Sequence, residues 1–476
     1  MLNLKVAKLL ALTALVVLGL MTFSSNPLVD FACTDSAVFS YIGSAMHKGV
    51  VPYRDVFDHK GLLIYVINWL GSFLGPSLIG VWIIEVIFCL LSFIFIWQFA
   101  LHYFGKDVAF ISVFPYASLF TYGNNAGNFT ETYAHLFIVI VLLWILKHAK
   151  EGTRFSASES FLSGGCFAAI LFLRPNMGAI GIVAAVYFIE QAFRDHDVKG
   201  FALNSLLVLS GLVCFSAPLL GYLVLNGALQ SCWECYIEYN LKYASGTACH
   251  SSYMRIVYVL AAGGLLTCFS KPWRRSAAYN MVFLVLTTLV LAMNSQYKHY
   301  LLMVVPGVIL PFMLGIARLR ELNFHKVVFA ATVLVSILFI TKESSQSNLD
   351  IGGYLAHVKK THRVQDIADF KEGAAYSTLY KLTSLIDQKD SVLVVGNECE
   401  LYRRLGLMPS GYYAYIPDSY DDITDERIRE EVRLGKNAYA ITNARYFNEK
   451  RRAVLEGSYE QIADAGTYIL WKAKMR

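Results

Sequence analysis

The chain has 476 residues, of which 56% are hydrophobic and only 16% charged, with a net charge of +6. A soluble protein of this length buries its core with far less apolar content, so composition excludes an ordinary soluble enzyme. The positive balance is no nucleic-acid signature: basic residues sit in short loops, and no basic stripe alternates with exposed aromatics. A polytopic helical membrane protein remains, consistent with a mean hydropathy of +0.47.

Lys5 and Lys8 precede an apolar run over 9–23, which Ser24, Ser25, Asn26 and Pro27 break. A cleaved signal peptide competes here with a retained first helix, and the lack of a clear small-x-small cleavage site favours retention. Residues 25–76 then form a polar first loop. Within it Val38, Tyr41, Ile42, Ala45 and Met46 recur at helical spacing, predicting an amphipathic helix along the membrane interface. Residues 62–74 predict a second such helix before Gly75–Pro76 turns the chain into the membrane.

A hydrocarbon core of ~30 Å takes about 20 helical residues. Later spans are expected near 77–104, 108–123, 131–149, 159–173, 177–193, 201–225, 254–270, 277–293, 300–317 and 326–341, or about eleven with the first. Lys and Arg are about twice as frequent in the loops with Lys106, Lys147, Arg154, Arg194 and Arg274 as in the alternate loops. That bias puts the N-terminus inside, and an odd number of spans puts the tail outside. The membrane domain is thus expected over 1–341. From about Thr341 a polar linker leads into a small extracytoplasmic α/β domain over 342–476. There SVLVVG (391–396), AYAIT (438–442) and TYILW (467–471) read as strands, with helices over 398–405 and near 445–456. Gly396 is a lone glycine after a strand and carries no dinucleotide motif.

The ionisable residues gather in the first loop: Asp35, Arg54, Asp55, Asp58, His59 and Lys60. So many charges beside a first span mark a place where something polar is handled. Asp35 reads either as a helix cap or as a base able to take a proton from a hydroxyl, and one geometry serves both. Asp55, Asp58, His59 and Lys60 read either as a charged surface turn or as a substrate pocket. Lys60 abuts the apolar LLIYVI, which suits its ammonium to a lipid phosphate. Asp58 and His59 are weak candidates for a divalent cation, two adjacent ligands without partners. Glu131, in NFTETYAHLF, reads as a helix opener or as a second carboxylate facing the same cavity. Arg174, in LFLRPNMG, needs a carboxylate partner or a polar ligand at that depth. His299 and Tyr300, in YKHYLLMVVP, stand at a span end as interfacial anchors or pocket residues. Cys232, Cys235, Cys249 and His250 share one loop, where a disulfide is a simpler expectation than zinc.

The order of an Asp before an interfacial helix, then PYRD-x-x-DHKG-x-L, then a second interfacial helix resembles the GT-C type membrane glycosyltransferases. Within that class it is similar to the bacterial group related to protein O-mannosyltransferases and lipid A aminoarabinose transferases. NFTETYAHLF, LFLRPNMG, YKHYLLMVVP and SVLVVGNECELYRRLG fall where such proteins carry similar segments. The resemblance implies a polyprenyl-phosphate-linked sugar donor, an extracytoplasmic glycan, glycolipid or protein acceptor, membrane lipids around the bundle and no nucleic acid. It implies Asp35 as catalytic base, Lys60 at the lipid phosphate and Glu131 as the second acid. Ser36 stands where many relatives carry a Glu, and Lys60-Gly61-Leu62 replaces a Lys-Pro-Pro turn. The first departure leaves a single carboxylate and puts metal binding in question. A transporter or flippase of lipid-linked sugars, and a polysaccharide polymerase or ligase, are the alternatives. The first calls for paired charges within spans, the second for a larger Arg-rich loop.

Overall fold

The computed structural model describes residues 25, 34–75, 77–124, 127–246, 253–267, 270–293, 297–321, 327, 330–336, 338, 382–386, 390–396, 398–405, 411–415, 421–444 and 447–474. The predicted span 9–23, seven of the sixteen residues of 326–341 and the linker lie outside them. The helices are α1 (Thr34–Met46), α2 (Leu62–Ser72), α3 (Ile79–Phe104), α4 (Lys106–Asn124), α5 (Thr130–Glu151) and α6 (Ala157–Leu173). There follow α7 (Ala179–Asp195), α8 (Val198–Leu225), α9 (Tyr239–Gly246), α10 (Met254–Thr267), α11 (Arg274–Met293) and α12 (Ile309–Glu321). Among the described residues, Ile79–Phe104, Thr130–Glu151, Pro175–Asp195, Val198–Leu225 and Lys271–Met293 are long and apolar enough to cross a bilayer. This is a membrane protein.

Local signals fix several of these elements. A capping box opens α6: Ser156 Oγ accepts the Glu159 N–H at 3.2 Å, and the Glu159 carboxylate accepts the Ser156 N–H at 2.8 Å. Helices α6 and α8 touch backbone to backbone, since a Cβ on Gly164 would come 2.0 Å from the Val208 carbonyl. Lipid gives helices no hydrophobic drive to associate, so such close small-residue contacts hold the pair. The expected helix over 300–317 is not continuous: Lys298–Met303 and Val305–Val308 are 3₁₀ turns, and α12 begins only at Ile309. Pro306 lacks the N–H that an α-helix would need there and its ring crowds the preceding turn.

The polar stripe of α1 does not face headgroups. Ser36 and Ser40 are buried, as are Ala37, Val38, Phe39, Tyr41 and Ile42. The serines turn instead toward Asn128, a buried residue at φ +55° in the turn before α5. The Asn128 amide donates to Ser36 Oγ and Asn68 Oδ1, both at 2.9 Å. Its oxygen accepts from Asn68 Nδ2 at 3.1 Å and from the Tyr133 hydroxyl at 2.9 Å. Its backbone N–H donates to the Glu85 carboxylate of α3, which also accepts the Ser25 hydroxyl. Four elements meet at this one residue, three through its side chain and α3 through its backbone N–H.

The tail carries β1 (Val392–Val395), α13 (Glu400–Leu405), α14 (Asp421–Leu434), β2 (Tyr439–Asn443), α15 (Glu449–Ser458), β3 (Tyr459–Asp464) and β4 (Tyr468–Ala473). The sheet order is β1-β2-β4-β3, with β1 and β2 parallel and the other pairs antiparallel. Sequence reading missed α14 and β3, whose mostly polar residues carry little apolar periodicity. The tail does not stand apart from the bundle. Cys399, Leu401 and Tyr402 share one buried cluster with α1, and the Tyr402 ring lies 5.2 Å from that of Tyr41.

Candidate active site

Gly61 brings the first loop to the end of α6. Its N–H donates to the Leu173 carbonyl at 3.3 Å, and a Cβ there would sit 2.0 Å from the Phe172 carbonyl oxygen. Only glycine allows that approach, and it lays Lys60 beside Arg174, the residue that ends α6.

Arg174 donates to the Glu131 carboxylate, which is 1% exposed in the first turn of α5. The guanidinium also lies 4.2 Å from the centre of the Tyr300 ring. Burial works against the Arg174 cation, but Glu131, Tyr300 and Asp35 more than offset it and raise its pKa. His299 Nε2 stands 3.9 Å from Glu131 Oε1, and its ring is stacked between Phe129 and Tyr297 at 4.3 and 5.5 Å. Burial lowers the His299 pKa. Glu131 and Asp35 raise it, Arg174 and Lys60 lower it, and the outcome lies below the usual histidine value. Charges from four distant parts of the chain thus act on one imidazole.

Asp58 is 3% exposed and accepts three hydrogen bonds. Tyr65 OH donates to Oδ2 at 2.7 Å, while the His59 N–H at 2.7 Å and Tyr415 OH at 2.9 Å donate to Oδ1. Burial nevertheless pushes its pKa up, against Lys60 and those donors. His59 Nε2 lies 2.7 Å from Lys60 Nζ. Burial, then Lys60 and Arg174, hold the His59 pKa well below its usual value. Tyr53, at φ +69°, donates its hydroxyl to the Lys60 carbonyl at 2.7 Å and so fixes the exit of the loop. Asp35, in the first turn of α1, is half-buried, and its charge is felt at Arg174, His299 and Tyr415.

Asp35, Asp58, His59, Lys60, Glu131, Arg174, His299 and Tyr300 therefore converge. Asp55 does not join them: its carboxylate takes Arg54 Nε and the Val51 N–H, both at 2.8 Å, and Arg54 also donates to the Asn226 carbonyl. Cys232 and Cys235 are buried around the π-helical turn Trp233–Glu238, with Cys235 Sγ 3.1 Å from the Tyr412 hydroxyl. Cys249 and His250 lie outside the described residues. Sequence reading missed Tyr415, which reaches the site from the tail, and Tyr65. In a chain with 29 tyrosines neither carried a distinguishing signal. Among the described residues no group of three or more His, Cys, Asp and Glu side chains could hold a metal ion. Three donors occupy Asp58, and Lys60 occupies His59 Nε2, so this pair fits a cation poorly as arranged.

Comparison with solved structures places this architecture. The ArnT structure from Cupriavidus metallidurans bound to undecaprenyl phosphate matches with a TM-score of 0.65 at 14% identity, over 98% of each chain. The apo form of the same protein matches with a TM-score of 0.59 at 12% identity, again over 98% of each chain. The archaeal oligosaccharyltransferase AglB from Archaeoglobus fulgidus, in complex with an inhibitory peptide and a dolichol-phosphate, matches with a TM-score of 0.51 at 12% identity. That alignment covers 98% of this chain and 74% of AglB. The fold is the GT-C type shared by those glycosyltransferases. No curated protein matches the chain. Residues 1–326 match the family described as "Putative competence-induced protein Ccs4 N-terminal domain", and the chain belongs to that family.

Proposed function

We propose that this protein is an integral-membrane glycosyltransferase that moves a sugar from a polyprenyl-phosphate donor to an extracytoplasmic acceptor. The support for the reading is the Arg174–Glu131 ion pair with His299 Nε2 3.9 Å from Glu131, close enough to Asp35 and Lys60 for both charges to act on His299. A carboxylate and two cations grouped in this way suit a displacement between a hydroxyl and a phosphate. The shared fold with ArnT, solved with undecaprenyl phosphate, supports a lipid-phosphate ligand.

In this mechanism Asp35 takes the proton of the acceptor hydroxyl as its oxygen attacks the anomeric carbon. The bond from that carbon to the phosphate oxygen breaks, and its electron pair leaves on the polyprenyl phosphate. Lys60 and Arg174 stabilise the growing charge, an effect worth a few kcal/mol per donor (order of magnitude). Phosphate is a good leaving group once so held, so no general acid is required. Attack opposite the leaving group inverts the anomeric centre. Glu131 orients Arg174, and Asp58 holds His59 so that it can orient Lys60. The reaction proceeds without a divalent cation, consistent with the donors already filling Asp58. The N-terminus is cytoplasmic and the tail extracytoplasmic, following the loop charge bias.

The test is transfer by purified protein from a polyprenyl-phosphate sugar. Asp35→Asn should abolish transfer while leaving donor binding intact. Full activity in that variant would remove Asp35 from the mechanism, and a retained anomeric configuration in the product would rule out single displacement.

A further inference from the structure

The hub at Asn128 has no role in the chemistry above, yet it is built entirely of buried polar groups. Ser36, Ser40, Asn68, Glu85, Asn128 and Tyr133 are each 3% exposed or less. A buried polar network is stable only when its members are satisfied, and a carboxylate inside an apolar helix such as α3 is a functional candidate by default. The two ends of this network are adjacent to the reacting groups. Ser36 follows Asp35 in the first turn of α1, and Asn128 precedes Glu131 by three residues.

We propose that Asn128 is a positioning residue that sets Asp35 against the Glu131–Arg174 pair, with Glu85 anchoring its backbone. The inference rests on the transferase reading. The amide of Asn128 spans from Ser36 on α1 to Asn68 on α2, while its main chain is tied to α3 and leads directly into α5. The base and the phosphate clamp thus share one rigid reference point. A displacement of about 1 Å at either end is enough to cost roughly a hundredfold in rate.

The left-handed backbone at Asn128 offers a clean test. Asn128→Gly keeps that conformation, and keeps the N–H that Glu85 accepts, while deleting the amide. Expected is a fall in kcat of about a hundredfold with the donor KM near wild type. Ser36→Ala, which leaves Asn128 in place, should lower kcat in the same direction. Combined with Asn128→Gly it should add little, because both act through one contact. Backbone hydrogen exchange over residues 34–40 should rise in both variants. Wild-type kcat and exchange in a folded Asn128→Gly protein overturn the proposal, as does an effect confined to donor KM. If Asn128→Gly fails to fold, unchanged kcat and exchange in Ser36→Ala overturn it alone. A wild-type protein that transfers no sugar defeats the transferase reading instead, and exchange at 34–40 then still decides whether Asn128 holds α1.

Discussion

Lys60 Nζ lies 2.7 Å from His59 Nε2, an ammonium donating to an imidazole that must be neutral to accept. Burial and the neighbouring cations keep His59 neutral by holding its pKa well below the ordinary value. At this group the folded protein therefore binds fewer protons than the unfolded chain once pH drops below about 6.5. Stability should fall as pH falls through that window, by at most about 1.4 kcal/mol per pH unit for this one group. His299, also depressed, acts in the same direction. Thermal unfolding in detergent between about pH 7.5 and 5.5 measures it. His59→Gln, whose amide oxygen can still accept from Lys60, should flatten the slope; an unchanged slope would mean that His59 is not the titrating group.

Lys60→Ala removes the cation proposed to meet the donor phosphate. A charged hydrogen bond is worth about 1.5–3 kcal/mol, so the donor KM should rise tenfold or more (order of magnitude). Initial rates against donor concentration read this directly. A flat response would count against any contact between Lys60 and the lipid phosphate.

Arg174→Gln leaves Glu131 buried without its cation. Breaking one side of a buried pair costs about 3–5 kcal/mol, most of it from the stranded charge. Glu131→Gln in the same chain should recover much of that stability without recovering transfer. Unfolding midpoints of the two single variants and the double variant, taken as a cycle, separate the two effects. Additive losses would show that the pair is not coupled in solution.

Tyr415→Phe deletes the hydrogen bond that the tail gives to Asp58. Removing one buried partner of a charged group should cost about 1–3 kcal/mol and reduce transfer, although the bundle is untouched. If activity and unfolding both match wild type, the tail contributes no working group to the site.

EDTA should leave transfer intact, because three donors already occupy Asp58 and Lys60 occupies His59. Loss of activity restored by added Mg²⁺ or Mn²⁺ would reverse this and demand a different ligand set.

Much of this site was legible in the sequence because charge is conspicuous against an apolar background. Asp35, Asp58, His59, Lys60, Glu131, Arg174 and His299 stood out singly, and the structure brings them within electrostatic reach of one another. Their convergence was beyond sequence reading, since the Asp58–Lys60 turn, Glu131, Arg174 and His299 are separated by long stretches of chain. Gly61 shows why: nothing local reveals that its missing Cβ faces the Phe172 carbonyl. Glu85 carried the same signal as Arg174, a lone charge in an apolar run, and went unread because the long span around it dominated the hydropathy. Asn128 gave no signal, as an amide in a polar turn looks like any other. The helix expected over 300–317 failed at its start because periodicity continued across Pro306 while the backbone could not.

The hydroxyl of Tyr415 arrives on Asp58 from 357 residues further along the chain. Synthesis runs from the N-terminus, so this contact is delivered only after the described spans, Ile79–Phe104 to Lys271–Met293, have been made. Those spans can be inserted and packed while Asp58 still lacks it. A chain truncated before Tyr415 is thus expected to seat in the bilayer without the hydrogen bond that Tyr415 gives Asp58.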